Sequence, residues 1–359
     1  MQKEISFIKY VSNTSSGTSN NYILKLDAPK TITSRIYYKV NEYGQFNYKF
    51  LFSNTVDSTF SDGAVAFSNL KGDEYEIISA FAGDGGEFEI DFDNTVLSPI
   101  LFNNNKSKKV ASGELFWSDT CKLTIPQNHY LVFEWTVIGN NLPYTPDKMT
   151  PSFVLDNDKF ITNTDFPSPH LVACDRKVKK RIAFLGDSIT QGLGTDFAEY
   201  NFWVAEISKL LGNDYSVWNL GLGFARAEDA ATNGVWLYKA KQMDLVSVCF
   251  GVNDIEQGRS SLQICTDLKT IITTLKKSGC EVLIFTIPPF SFTGEKEIIW
   301  RYVNEYIKTV LIKEVKDVFD VIPIIGKDKP DDNMAKYGEH PNATGGLAIA
   351  KEFIKQITI

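Results

Sequence analysis

The stretch RIAFLGDSITQGLG, residues 181–194, carries an unbroken apolar run, Ile182 to Leu185, straight into Gly186-Asp187-Ser188. An apolar run of strand length that closes on glycine reads as a strand buried on both faces, the signature of a parallel sheet. Open parallel sheets bind ligands beyond the carboxyl ends of their strands, which is where Ser188 falls. The stretch is then either an ordinary strand-to-helix corner capped by its polar residues or a device that presents a serine hydroxyl. The surrounding sequence has to choose between them.

Downstream, apolar strands alternate with helices. Strands are predicted at 181–186, 215–220, 244–250, 281–287 and 317–322. Between them, Trp203, Ile207, Leu210 and Leu211 share one helical face. Ile264, Leu268, Ile271 and Leu275 share another, which Gly279 terminates. Five such strands separated by helices predict a doubly wound parallel sheet. Upstream of about residue 165 the period changes to two, in RIYYKV, QFNYKFLF, EYEIISAF and EFEIDFD. In the last of these Phe88, Ile90 and Phe92 alternate with Glu87, Glu89 and Asp91. Turn clusters such as NEYG, GDGG and NNNKSKK punctuate the runs, so the expectation is an antiparallel β-sandwich of jelly-roll type. SPHLVACDRKVKK reads as the link, which gives a sandwich domain over 1–168 and an α/β domain over 176–359.

Bulk properties exclude several classes. The 359 residues are 43% hydrophobic and 13% aromatic, enough for two packed cores. A net charge of −7 without a basic run argues against nucleic acid. No apolar run reaches the roughly 18 residues of a membrane span. The N-terminal MQKEISFIKYVSNTSSG lacks the apolar core and cleavage site of a secretory signal. Cys121, Cys174, Cys249, Cys265 and Cys280 have no CxxC spacing and read as buried free thiols, so a cytoplasmic location is expected. GLGFAR has Arg226 where a dinucleotide fingerprint needs Gly or Ala, and no Walker A motif occurs. G-x-S-x-G is absent around Ser188, and three scattered histidines do not make a zinc site. No cofactor and no metal are expected.

Polar residues recur at the predicted strand ends. After Gly186-Asp187-Ser188 come NLGLGFAR, with Asn219, Gly221 and Gly223, and GVND, with Gly251, Asn253 and Asp254. YGEHPNATGG then places His340 just before a helix that Asn342 or Thr344 caps. Serine is a weak nucleophile that needs a base, usually histidine. A tetrahedral oxyanion needs donors already aimed at it, such as backbone amides and an Asn side chain. His129 falls in the sandwich and His170 in the link, which leaves His340 as the base. The set is a parts list for acyl transfer.

With these residues in view, the second half of the chain resembles the SGNH, or GDSL-type, hydrolase superfamily. GDSIT, GVND and HPN match its nucleophile, asparagine and histidine blocks, and NLGLG matches the oxyanion-glycine block less closely. The resemblance implies Ser188 as nucleophile and His340 as base, with an oxyanion hole from the Ser188 amide, the Asn253 side chain and an amide at Gly223 or Phe224. It also exposes a departure. The family's Asp three residues before the histidine is Tyr337 here, so the imidazole is oriented by Asp332, Asp331 or Glu339, by the Tyr337 hydroxyl, or by a carbonyl in a Ser-His dyad. A β-sandwich ahead of an SGNH domain is similar to family-two carbohydrate esterases. That likeness implies a short acyl ester, an O-acetyl group on a carbohydrate, as substrate. A lipase or thioesterase of the same superfamily and a non-catalytic sugar-binding relative are the alternatives. Trp203, Trp218, Trp236 and Trp300 are then either stacking surfaces for sugar or core.

Overall fold

A computed structural model describes residues 2–16, 19–59, 67–87, 95–196, 199–336 and 338–359. The chain forms two compact units. One is Lys9–Val178, and the other joins the N-terminal residues up to Ile8 to Lys179–Ile359.

In the first unit the period-two runs become two antiparallel sheets. Gly44–Ser53 lies between Leu171–Cys174 and Cys121–Ile125 in one sheet, and Tyr22–Lys39 lies between Ser152–Asp156 and Tyr130–Tyr144 in the other. Alternation sets the faces: Cys121, Leu123 and Ile125 are buried while Lys122 and Thr124 are exposed. Side chains from both sheets share one core, with the rings of Phe50 and Phe133 5.1 Å apart. Of EFEIDFD, residues 88–93 lie outside the described residues.

The predicted link needs correction. Leu171–Cys174 is a strand, fully buried, pairing with both Val11–Ser12 and Gly44–Ser53. Buried on both faces, it loses the alternation by which half-buried strands are recognised. His170 and Arg176 are buried beside it, the guanidinium donating to the Ser12 carbonyl at 3.0 Å.

In the second unit five parallel strands form one sheet: β1 (Lys180–Gly186), β2 (Tyr215–Gly221), β3 (Leu245–Cys249), β4 (Glu281–Phe285) and β5 (Asp317–Phe319), in the order β2-β1-β3-β4-β5. Strand order reverses between β1 and β3, the place where such sheets hold ligands. Of its helices, α1 (Ser188–Gln191) follows β1, α2 (Trp203–Leu211) precedes β2, and α3 (Val252–Glu256) follows β3. Then come α4 (Ser261–Lys277), α5 (Glu295–Thr309) and α6 (Ala343–Gln356). Ile264, Leu268, Ile271 and Leu275 of α4 are buried as their spacing requires, and Gly279, at φ +79°, ends the helix. Leu210 departs from the expected face. It is 45% exposed, in the last turn of α2 where the chain turns out at Gly212.

Trp203, Trp218, Trp236 and Trp300 are all buried, so core packing is their role. Three of them also anchor backbone near the sheet's carboxyl edge: the indole N–H groups of Trp203, Trp236 and Trp300 donate to the carbonyls of Ile189 in α1 (2.7 Å), Leu220 in β2 (3.1 Å) and Ile287 after β4 (2.9 Å). The N-terminal residues were not anticipated in this unit. Phe7 stacks on Trp218 at 6.0 Å, Arg181 donates to its carbonyl at 3.0 Å, and Lys3 pairs with Asp244 at 3.3 Å. All five cysteines are buried and free. No helix among the described residues is long and apolar enough to cross a membrane.

The buried and exposed faces of α4 make a stability test. Leu268→Ala opens a cavity at a side chain 1% exposed and should cost about 2–5 kcal/mol, whereas Leu262→Ala, 74% exposed, should cost less than about 0.5. Urea denaturation of the two variants checks this, and equal losses would contradict the packing of the helix.

Candidate active site

Why does β1 end Gly-Asp-Ser? Any side chain at Gly186 would put its Cβ 2.1 Å from the Thr190 hydroxyl oxygen and 2.6 Å from the Cys249 carbonyl, so only glycine lets α1 start this tightly against the sheet. Asp187 is the N-cap of that helix, its carboxylate accepting the Ile189 amide at 3.0 Å. The cap is therefore Asp187, and the Ser188 hydroxyl is left for another partner. That partner is His340, whose Nε2 lies 2.7 Å from Ser188 Oγ.

β2 supplies the floor. Asn219 donates to the carbonyls of Thr190 (3.0 Å) and Gln191 (3.2 Å) and accepts the Gly221 amide at 2.8 Å, tying the end of α1 to the strand. A Cβ at Gly221 would stand 2.1 Å from the Gln191 nitrogen. The loop beyond returns to β1 through a bond from the Leu222 amide to the Gly186 carbonyl, 3.0 Å. Gly223 is buried in its turn, while Phe224 is exposed at φ +63°.

At the end of β3, Gly251 (φ +134°) leads into α3. Asn253 donates to the Ala225 carbonyl at 3.0 Å, and Asp254 accepts the Ala227 amide at 2.9 Å. The Asn-Asp pair thus staples the Gly223 loop to α3. One amide hydrogen of Asn253 makes that staple, and the geometry of an NH2 group leaves a second to donate elsewhere. Arg259 holds Asp254 from the other side at 2.7 Å and reaches Asp267 at 2.7 Å. Burial pushes the Asp254 carboxyl above the usual range, opposed by these donors.

His340 sits on a two-residue strand, His340–Pro341, paired with Ala335–Lys336. Asn342 caps α6, accepting the Thr344 and Gly345 amides at 2.9 and 3.1 Å. Gly194 (φ +99°) lets the His340 backbone come close, since a Cβ there would lie 2.9 Å from the His340 carbonyl oxygen. The Phe290 ring meets the imidazole edge-on at 5.7 Å. Of the candidate orienting groups, Asp332 is 95% exposed and pairs with Lys329 at 3.4 Å, with no hydrogen bond to His340 among the described residues. Asp331 is exposed. Glu339 accepts from the Ser291 hydroxyl. Tyr337 lies outside the described residues.

Sequence reasoning missed the anchors of this edge. Trp300 and Asn304 hold Ile287 from α5, Asn304 accepting its amide at 2.7 Å and donating to its carbonyl at 3.1 Å. Their only signal in sequence is a polar residue on a helix's apolar face. An apolar void lined by Ile189, Trp203, Cys249, Phe285 and Pro341 holds about 10 Å³. Among the described residues no group of three His, Cys, Asp or Glu is placed to hold a metal ion.

Residues 184–346 match the model of the GDSL-like Lipase/Acylhydrolase family. The second unit carries a GDSL-family domain. Lipases and acylhydrolases cleave carboxylic esters, which makes the enzyme class carboxylic ester hydrolase. Similar solved structures include a member of the lipolytic G-D-S-L family from Veillonella parvula (22% identical, 49% of this chain and 97% of that one, TM-score 0.42). A GDSL-like lipase from Bacteroides thetaiotaomicron is 18% identical (50% and 89% covered, TM-score 0.39). A catalytic mutant of an acetylxylan esterase from Geobacillus stearothermophilus is 20% identical (50% and 94% covered, TM-score 0.41). No curated protein matches the chain.

In this GDSL domain Asp187 is 1% exposed, and burial lifts its carboxyl to about 7, against the pull of the amides it caps. A folded value above the unfolded one means that the stability from this group is full below about pH 4 and is lost as pH rises through about 7. Asp187→Asn keeps an accepting oxygen and does not ionise. Wild type should therefore lose stability relative to Asp187→Asn between pH 4 and pH 8, by ~1 kcal/mol or more. Urea titrations across that range measure it, and a difference that stays flat would mean Asp187 does not titrate there.

Proposed function

We propose that the protein is a serine esterase for short acyl esters, O-acetyl groups on carbohydrate, acting through an acyl-enzyme. The observation that carries this reading is the 2.7 Å contact between Ser188 Oγ and His340 Nε2 at the carboxyl edge of the sheet. His340 takes the serine proton as Oγ attacks the ester carbonyl and then hands it to the leaving alcohol. The oxyanion is met by the Ser188 amide, the second hydrogen of Asn253 and an amide at Gly223 or Phe224. Ser188 opens α1, so its N–H has no acceptor within the helix. Water, activated by the same imidazole, releases the acid.

The short acyl group rests on the same resemblance that suggests carbohydrate. The carbohydrate reading rests on the resemblance to family-two carbohydrate esterases. In keeping with it, the first unit is an accessory β-sandwich of jelly-roll type, its two antiparallel sheets sharing one core.

Two substitutions test the chemistry. Ser188→Ala should lower kcat on 4-nitrophenyl acetate by several orders of magnitude without unfolding the protein. Asn253→Ala should cost about 100–1,000-fold in kcat with a smaller change in KM. Parent-like turnover by Ser188→Ala would refute the assignment, and a loss confined to KM would move Asn253 from oxyanion donor to substrate binder.

A further inference from the structure

Two contacts of His340 lie beyond the Ser188 hydroxyl. Its backbone rests against Gly194, and its ring meets Phe290 edge-on. The residues next to those two contacts are the unusual ones. Ser291, after Phe290, has φ +49°, and Glu339, before His340, has φ +75°. Both are non-glycine residues in the left-handed region, where a side chain is strained unless its surroundings hold it. The Ser291 hydroxyl donates to Glu339 Oε1, so the two strained residues hold each other. Glu339 Oε2 is buried with no hydrogen-bond partner among the described residues, a costly placement for a carboxylate oxygen. Strain and desolvation concentrated on one contact beside a reactive residue are the usual mark of a geometry kept for function.

The Ser291 loop is rigid at its root. Ile287 is gripped by Asn304 and Trp300, and Phe292 is buried next to Trp300 with ring centroids 6.3 Å apart. A loop anchored there and tied again at Ser291 has little freedom in where it puts Phe290.

We propose that Ser291 and Glu339 are a positioning pair for His340, closing the Phe290 loop against the histidine turn so that the imidazole stays aimed at the Ser188 hydroxyl. This rests on the Ser188–His340 reading of the site. Neither residue touches the reacting atoms. Both act through the backbone angle of the histidine turn and the wall that Phe290 forms.

The test uses the full chain with Ser291→Ala, Glu339→Ala, Glu339→Gln and the double alanine variant, each assayed on 4-nitrophenyl acetate beside Ser188→Ala. Each alanine variant should lower kcat about tenfold with KM within about twofold, as expected for a misaimed base. The double variant should be no worse than the poorer single, because one contact is removed twice. Glu339→Gln keeps an oxygen that accepts from Ser291 and should retain most of kcat. Unchanged kcat, a loss carried by KM, or losses that multiply would each overturn the proposal.

A second measurement needs no substrate. The chain has three histidines, so ring resonances assigned with His340→Gln report on that imidazole directly. They should shift or broaden in Ser291→Ala and stay close to wild type in Glu339→Gln, and an unmoved His340 ring in Ser291→Ala would overturn the pair. Should Ser188→Ala turn over ester like the parent, the esterase reading fails, while the ring resonances still judge the positioning pair.

Discussion

One hydrogen bond organises the reactive edge: Asp187 accepts the Ile189 amide and so becomes the cap of α1. A serine at the start of a helix ordinarily spends its hydroxyl on an orphan amide of the first turn. Here the preceding aspartate does that work, and Ser188 turns its hydroxyl to His340 instead. The arrangement demands close approach on every side. Gly186 and Gly221 leave no space for a Cβ, because α1 lies directly on the ends of β1 and β2. A methyl group at either position would displace the backbone that carries Ser188.

The edge is assembled from loops, and loops hold catalytic geometry only when something rigid grips them. Buried side chains reach up from beneath to do so. Trp203 and Asn219 fix α1, Trp236 fixes the end of β2, and Trp300 with Asn304 fixes the loop after β4. Asn253 and Asp254 join the Gly223 loop to α3, so Asn253 and the amides of that loop are tied together. The cost is a set of buried carboxylates. Asp187 and Asp254 are both lifted above the usual carboxyl range by burial, and each is offset by donors that also shape the site.

What could be read in the sequence was whatever repeats or clusters locally. The five strands of the sheet fall where apolar runs meet turns, and Ser188, Asn253 and His340 stand out because each follows a glycine-bearing strand end or precedes a capped helix. Contacts between distant single residues leave no such trace. The stacking of Phe7 on Trp218 and the bond from Ser291 to Glu339 join segments far apart in the chain, and the grip of Asn304 on Ile287 reaches from a helix back to the preceding loop. Leu171–Cys174 reads as a link in the sequence because a strand buried on both faces shows no alternation and sits beside charged residues. The exposed Asp332, on Lys329, shows the limit of proximity in sequence as a guide to the orienting group.

The central claim is that Ser188 is a nucleophile activated by His340. A serine-directed organophosphorus ester, followed by intact mass measurement and peptide sequencing, tests it most directly. The account predicts a single phosphoryl adduct on the peptide holding Ser188, formed far more slowly in His340→Ala. Ester hydrolysis that continues with Ser188 unlabelled, or an adduct on a different residue that abolishes activity, would contradict it.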